Sequence, residues 1–539
     1  MSKWANGRIS EWANRSQSST LNLAVWVLLL ALLVRTVWLA RFPTDPVAPV
    51  DAEGFHLLAV NVLTGRGFAI GWEAPFCPTT VRTPLYPLFV AGVYAIAGQN
   101  PGRVVPLHLL LEVLTTTLVI RLGRDLGGKR VGWWAGVLYA CNGTTQRYTG
   151  YVLSEALLLP LLTAALWMTT RCLRHPSAKR AAVAGLLWGL ALLTKPNVQF
   201  LALFVGAVAF SFQRSAYSRQ PSADNMQPHP STTTRPPSHF SLLISHFSSL
   251  FFWLALTVVL FPWLLRNRAV TGRWLLSTAF EENLARVSAV ATLAEIEGVR
   301  VEPWTETWEY YYRRLISEVG TRFDWGTRLP LPGACAEQQR RKAEIARMAR
   351  DIVRAHPFSY LRAHLRGVLT SLRDPGHRLW YHVMTGQEWA STGVVADIGV
   401  RIAWSLERGA VGNALHVLWT ERVTRPPLLA TLLWWGLSAA RIAVWWACGR
   451  GVWRLRRQPW LLQALTGSIV YILLLPGPIA HDRFYLPAIP LVTVLLAVGS
   501  AGGRRKLSFT NAKGICKRIS SRAKRPEDGA SSTETGSNF

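Results

Sequence analysis

The sequence predicts an all-α polytopic membrane protein. The expected architecture is a bundle of about 10–12 transmembrane helices, with juxtamembrane helices in the first external loop and a larger, mainly helical second external segment. Three observations carry this expectation. Half of the 539 residues are hydrophobic, and they lie in long blocks such as LNLAVWVLLLALLVRTVWLA from Leu21 and FYLPAIPLVTVLLAVG from Phe484. A helix needs about 20 mostly apolar residues to cross a bilayer. Five of the 25 tryptophans (Trp26, Trp38, Trp263, Trp434 and Trp460) fall near block ends, where an interfacial aromatic belt belongs. The net charge of +29 sits in short basic clusters between blocks. That distribution fits topology set by a positive-inside bias rather than a nucleic-acid surface.

Spans are expected at about 22–40, 103–121, 131–148, 153–170, 181–195, 197–212, 243–264, 427–449, 459–476 and 484–500. Lys3, Arg8 and Arg15 place the N-terminal segment 1–21 inside. The first block carries an arginine and no small-residue cleavage site follows it, so it reads as a retained span. Alternate loops are then basic and cytoplasmic, from RLGRDLGGKR at Arg121 to the tail after Gly503, with nine Lys/Arg before Pro526. PLYPLFVAGVYAIAG from Pro84 is too short for a span. Counting it as one would put every later basic cluster outside, so it is expected to be a re-entrant or interfacial helix on the outer face.

Two external segments result. The first, 41–102, closes the first part of a transmembrane core at 22–212; the second, 265–425, lies between a span at 242–264 and the C-terminal spans of 426–502. The second holds 17 of the 30 acids, and its EQQRRKAEIARMARDIVRAHPFSYLRAHLRGVL is amphipathic, fit to lie on the membrane or cover the bundle. The linker 213–241, rich in Ser, Thr and Pro, and the end of the tail 503–539 are expected to be disordered. The six cysteines show no metal-ligand spacing. Only Cys77 and Cys335 fall in external segments, so one disulfide is the most the pattern allows. No repeat of solenoid period is visible.

Ionisable residues collect near one face: Asp51, Glu53 and Arg82 in the first external segment, Glu155 in LSEALLLP, Lys195 in LLTKPN, Arg266 in FPWLLRNRAVTG, and His481, Asp482 and Arg483 in PIAHDRFYLP. Such groups at membrane depth are costly unless they line a wet cavity or pair. Several cations with a few carboxylates suit a phosphate-bearing substrate and a proton-accepting step. Arg offers bidentate contacts to phosphate, Lys a point charge, and a carboxylate a general base. Each has an ordinary alternative: a helix cap for Asp51, a solvated acid for Glu53, interfacial anchors for Arg82 and Arg266, a buried ion pair for Glu155, a helix end for Lys195 and a loop histidine for His481. Asn142-Gly-Thr forms a sequon, but at a span end.

DAEGFHLLAVNVLTGRGF followed by RTPLYPLF resembles the first-loop signature of polyprenyl-phosphate-dependent glycosyltransferases of the GT-C fold, among them protein O-mannosyltransferases and lipid A aminoarabinose transferases. LSEALLLP, LLTKPN, FPWLLRNRAVTGRW, AHPFSYLRAHL and HDRFYLPAIP follow in the expected order, so the resemblance spans about residues 20–500. It implies an inverting transfer from a polyprenyl-phosphate sugar to an acceptor hydroxyl or amine on a lipid, glycan or protein, with no nucleic-acid partner. It implies a location in a bacterial inner membrane with the site on the periplasmic side. Asp51 then corresponds to the base, Glu155 to an acid of the second external loop, and Lys195, Arg483 and Arg82 to donor-phosphate contacts. Arg266 and His481 count as substrate-binding candidates, Glu53 and Asp482 as secondary ones. Phe55 stands where relatives more often have Tyr, and Thr83 where the aminoarabinose transferases tend to have Lys. Metal use differs within the fold; no cofactor is required by the pattern, and Asp51 with Glu53 stays a candidate pair for a divalent cation. A transporter and a non-catalytic partner in envelope assembly are the competing classes. The polar residues gather at one face rather than at mid-bilayer, which favours the enzyme over the transporter.

Overall fold

The structure, a computed structural model, describes residues 23–74, 76–218, 239–299, 301, 305–317, 335–373, 380–381, 384–385, 402, 405–406, 409–420, 428–456, 458–478 and 482–501. The segment 1–21, the middle of the linker, His481 and the tail from 503 therefore lie outside the described residues. Those described are almost entirely helical, with an isolated bridge between Ala69 and Pro78 in place of strands. In order come α1 (Leu23–Arg41), α2 (Val50–Leu63), α3 (Leu85–Ala97), α4 (Val105–Gly127), α5 (Lys129–Ala140), α6 (Gly143–Thr149), α7 (Glu155–Arg174), α8 (Ala178–Thr194), α9 (Gln199–Ser218) and α10 (His239–Thr271). The segment 265–425 supplies α11 (Ala279–Asn283), α12 (Val290–Ile296), α13 (Glu306–Ser317), α14 (Cys335–Ala355), α15 (Pro357–Arg373) and α16 (Val411–Trp419). The chain re-enters the apolar region as α17 (Leu428–Leu455) and α18 (Pro459–Leu474), then a 3-10 turn at Asp482–Ala488 and α19 (Ile489–Ser500).

Six helices among the described residues are long and apolar enough to cross a membrane: Leu23–Arg41, Pro101–Gly127, Glu155–Arg174, Ser249–Thr271, Leu428–Leu455 and Arg483–Ser500. Among the described residues, the other four expected spans do not meet that combination of length and hydropathy. The block 131–148 is two helices, α5 and α6, because Cys141 leaves the helix and Asn142 restarts it as an N-cap. The Asn142 side chain accepts from Thr145 N (3.1 Å), so the sequon asparagine is a helix cap. Helices also replace part of the expected linker, since α9 runs to Ser218 and α10 begins at His239. Two tryptophans expected in the interfacial belt, Trp38 and Trp263, are buried instead, and Trp263 Nε1 donates to Leu276 O (2.9 Å).

Glycines set how closely the spans approach. In α8, Gly185 and Gly189 lie four apart on the face that meets α10. A Cβ at Gly185 would fall 2.1 Å from Phe252 O, and one at Gly189 2.8 Å from Val259. Small residues at this spacing let backbones touch where no hydrophobic force separates helix from lipid. In α17 and α19, Gly451 and Gly499 do the same against Leu495 O and Ala447 O.

Two hydrophobic cores tie the remaining helices to the ends of the spans. The first joins Ala52, Phe55 and Ala59 of α2, Tyr86, Val90 and Tyr94 of α3, Tyr148 of α6, and Leu486 of the 3-10 turn. The second joins α12 to α15 around Trp308, Tyr311, Leu315 and Ile345, and Phe484 packs against it. A disulfide between Cys77 and Cys335, 258 positions apart, ties the two external segments together. Both cysteines therefore lie on the same side of the helix bundle.

Candidate functional site

Five charged side chains from five separate stretches form one continuous chain of ion pairs. Arg82 Nη2 donates to Asp51 Oδ1 (2.8 Å), and Arg483 Nη1 donates to Asp51 Oδ2 (2.7 Å). Arg483 turns its other edge to Glu155, with Nε to Oε1 at 2.6 Å and Nη2 to Oε2 at 3.3 Å. Lys195 Nζ closes the chain on Glu155 Oε1 (2.8 Å). Three cations against two carboxylates leave one positive charge. The chain grades from dry to wet: the Glu155 side chain is 2% exposed and that of Asp51 is 41% exposed.

Local sequence explains each position. Asp51 lies in the first turn of α2 and Glu155 opens α7, so both carboxylates face the positive end of a helix dipole. The N-cap of α2 is Pro49 and makes no side-chain cap bond, so Asp51 is an ion-pair residue rather than a cap. Lys195 precedes Pro196, which disfavours helical backbone; it adopts φ −152°, ψ 118° and leaves the end of α8. Arg82 stacks over the Phe55 ring at 4.2 Å. The space for its guanidinium exists because residue 54 is glycine: a Cβ there would be 2.8 Å from Arg82 Nη2. Phe55 meets Tyr86 edge-on, and Tyr86 OH and Thr149 O bracket the buried His108 ring at 3.1 and 3.2 Å. These contacts lock α2, α3, α4 and α6 under the charges. Partial burial pushes the Asp51 carboxyl up, but the Arg82 and Arg483 guanidiniums overrule this and hold it well below the usual carboxylate range.

The remaining candidates separate. Arg266 does not join the ion chain: its guanidinium donates to Thr79 O (2.6 Å), Phe68 O (3.3 Å) and Asn267 Oδ1 (2.9 Å), and it lies over Trp263. It is a strut between α10 and the connection from α2 to α3. Glu53 makes no ion pair among the described residues and lies near His56, where burial holds the imidazole below its ordinary value and Glu53 opposes that. Asp482 begins the 3-10 turn that presents Arg483, and His481 lies outside the described residues. The described residues do not complete a set of ligands for a divalent cation. Each Asp51 oxygen already accepts from a guanidinium, and no group of three candidate ligands occurs among the described residues.

The sequence reading passed over a second buried charge pair. Arg35 of α1, 0% exposed, donates to Glu112 Oε2 (2.8 Å), Thr145 Oγ1 (3.2 Å) and Ala140 O (3.2 Å), and Tyr139 OH donates to the same Glu112 oxygen. It satisfies the last carbonyl of α5 where the helix breaks. An arginine inside the first apolar block was the available signal.

Comparison with known proteins gives the class first: the chain is similar to the membrane glycosyltransferases of the GT-C type, as the first-loop signature implied. The particular match is to the family model described as dolichyl-phosphate-mannose-protein mannosyltransferase, over residues 81–222, roughly a quarter of the chain. That stretch carries Arg82, Glu155 and Lys195. No curated protein matches the chain. Among solved structures, an oligosaccharyltransferase of Archaeoglobus fulgidus, AglB in complex with an inhibitory peptide and a dolichol-phosphate, is 11% identical with a TM-score of 0.46, covering 94% of this chain and 54% of that one. ArnT of Cupriavidus metallidurans, bound to undecaprenyl phosphate, is 13% identical with a TM-score of 0.36, covering 89% and 76%. The chain thus spans about half the length of the archaeal enzyme.

Proposed function

We propose that this protein transfers a sugar from a polyprenyl-phosphate donor to an acceptor hydroxyl or amine at the outer face of a bacterial inner membrane. The observation that carries the reading is the ion chain Arg82–Asp51–Arg483–Glu155–Lys195, which gathers a solvent-reachable carboxylate beside three cations. The donor is a phosphodiester with one negative charge, which the single excess positive charge of the chain matches. Arg82, Arg483 and Lys195 hold its phosphate oxygens. Asp51 takes the acceptor proton as the acceptor oxygen bonds the anomeric carbon and the carbon–oxygen bond to phosphate breaks. The electron pair leaves on polyprenyl phosphate, so the leaving group needs no proton at that moment. Attack opposite the leaving phosphate inverts the anomeric centre. Glu155 is a positioning residue: buried under Arg483 and Lys195, it holds both cations in place.

Asp51→Asn keeps the shape and removes the base. Cells carrying this variant at wild-type expression are expected to lose the transferred sugar, read by mass spectrometry of envelope lipids, glycans and glycoproteins against a deletion strain. A wild-type product profile in the variant would remove Asp51 as base.

A further inference from the structure

The two guanidiniums on Asp51 are not equivalent. Arg483 is clamped on both sides, with Nε and Nη2 on Glu155 and Nη1 on Asp51, and its side chain is only 11% exposed. Arg82 has a single carboxylate partner, reached through Nη2 alone. Its other holds are the Phe55 face and the longer-range attraction of Glu282, neither of which fixes the guanidinium by a hydrogen bond, so it is free to swing over the ring. Among the described residues, Arg82 Nε is buried with no hydrogen-bond acceptor. A buried donor without a partner is costly, so a ligand oxygen arriving there gains more than one arriving at a satisfied group.

As it stands, the site holds its base in check. Both Asp51 oxygens face a positive charge, which stabilises the ionised carboxylate and weakens its pull on an acceptor proton. Releasing one of the two cations would restore that pull. Arg82 is the one whose release leaves every neighbouring carboxylate with a cation, since Glu155 keeps Arg483 and Lys195, and Glu282, which also feels the Arg82 charge, keeps Lys342 (3.5 Å).

Resting on the donor reading above, we propose that Arg82 is an exchangeable guard on the base. The phosphate of a lipid-linked donor takes over the Arg82 guanidinium, using Nε as well as Nη2, and so frees Asp51 Oδ1 for the acceptor. Arg483 stays clamped between Asp51 and Glu155. The exchange replaces one charge-assisted pair by another, bidentate one, so its cost is small. Catalysis is therefore ordered, donor before acceptor, and the unoccupied enzyme does not activate water or stray hydroxyls. Gly54 belongs to the device, because a side chain there would occupy the space of the guarding guanidinium.

The test uses the full-length protein in nanodiscs with undecaprenyl phosphate, which carries the headgroup without sugar. Binding is measured by titration, and the carboxylate stretch is followed by infrared difference spectroscopy. The expected result is a shifted carboxylate band on binding that is absent in Asp51→Asn and in Arg82→Gln. Arg82→Gln should also bind the lipid about tenfold or more weakly, while Arg82→Lys, which keeps the cation but not the fork, restores part of the affinity. Inorganic phosphate at the same concentration should give no band. Tight binding with identical difference spectra for wild type and Asp51→Asn overturns the guard and leaves the donor reading standing. Undiminished binding by Arg82→Gln also overturns it, and an equal band with inorganic phosphate overturns the lipid-linked trigger. Absence of any binding by the wild type overturns the donor reading together with the guard.

Discussion

Asp51 lies two residues from Glu53, yet only Asp51 enters the ion chain. On a helix, residues two apart diverge by more than half a turn, so one acid faces Arg82 and Arg483 while the other faces His56. Motif spacing identified Asp51, and the chemistry of its partners follows from neighbours distant in sequence. Gly54 shows how narrowly the position is defined. Gly54→Ala would put a Cβ 2.8 Å from Arg82 Nη2 and displace the guanidinium from Asp51. Alanine favours a helix by about 1 kcal/mol over glycine, so α2 itself should not weaken. The expected outcome is a loss of turnover of about tenfold or more with unchanged yield and thermal stability. Normal turnover in that variant would show that the position of Arg82 is immaterial.

At the scale of elements, the helices follow from apolar length, and their interruptions follow from buried contacts. The block 131–148 reads as one span, yet it breaks at Cys141 because Arg35 and Gln146 satisfy the freed Ala140 carbonyl and Asn142 caps the next helix. Composition alone cannot reveal such a break, since the arginine that supports it lies 105 residues away. Glu112→Ala would strand the fully buried Arg35 charge. Losing one partner of a buried pair costs about 3–5 kcal/mol, so the variant should show a sharply lower apparent Tm in detergent or fail to accumulate. An unchanged Tm would mean that Arg35 finds another counter-charge. The short α3 follows the same logic from the other side. Its 13 residues are too few to cross, and it supplies Tyr86, Val90 and Tyr94 to the core beneath the site.

At the scale of the whole molecule, the segments 41–102 and 265–425 are joined to each other and to the site. Ser277 Oγ donates to Val81 O, Thr278 N donates to Thr80 O (3.0 Å), and the Cys77–Cys335 disulfide spans the same two segments. Phe484, next to Arg483, packs on the second external core. Cys335→Ser should therefore lower the apparent Tm, by an amount corresponding to about 2–5 kcal/mol, while transmembrane helicity stays intact. No change in Tm would mean that the backbone contacts suffice. Topology has its own check: in a cysteine-free background, Pro478→Cys should react with an impermeant thiol reagent added outside. Labelling from the cytoplasmic side alone would reverse the placement of the site.

The sequence by itself determined the all-α membrane class, the order of the signature segments and the identities of Asp51, Arg82, Glu155, Lys195 and Arg483 as candidates. These are local properties, carried by apolar length, charge bias and short motifs. Tertiary structure alone decided that these five charges form one chain, that Arg266 is a strut, that Glu53 stands aside, and that Arg35 and Glu112 form a second buried pair. The reason is physical. A pairing between side chains as far apart as Asp51 and Arg483 depends on how closely α2, α7 and the 482–488 turn are packed, and that packing is set by contacts no single segment contains.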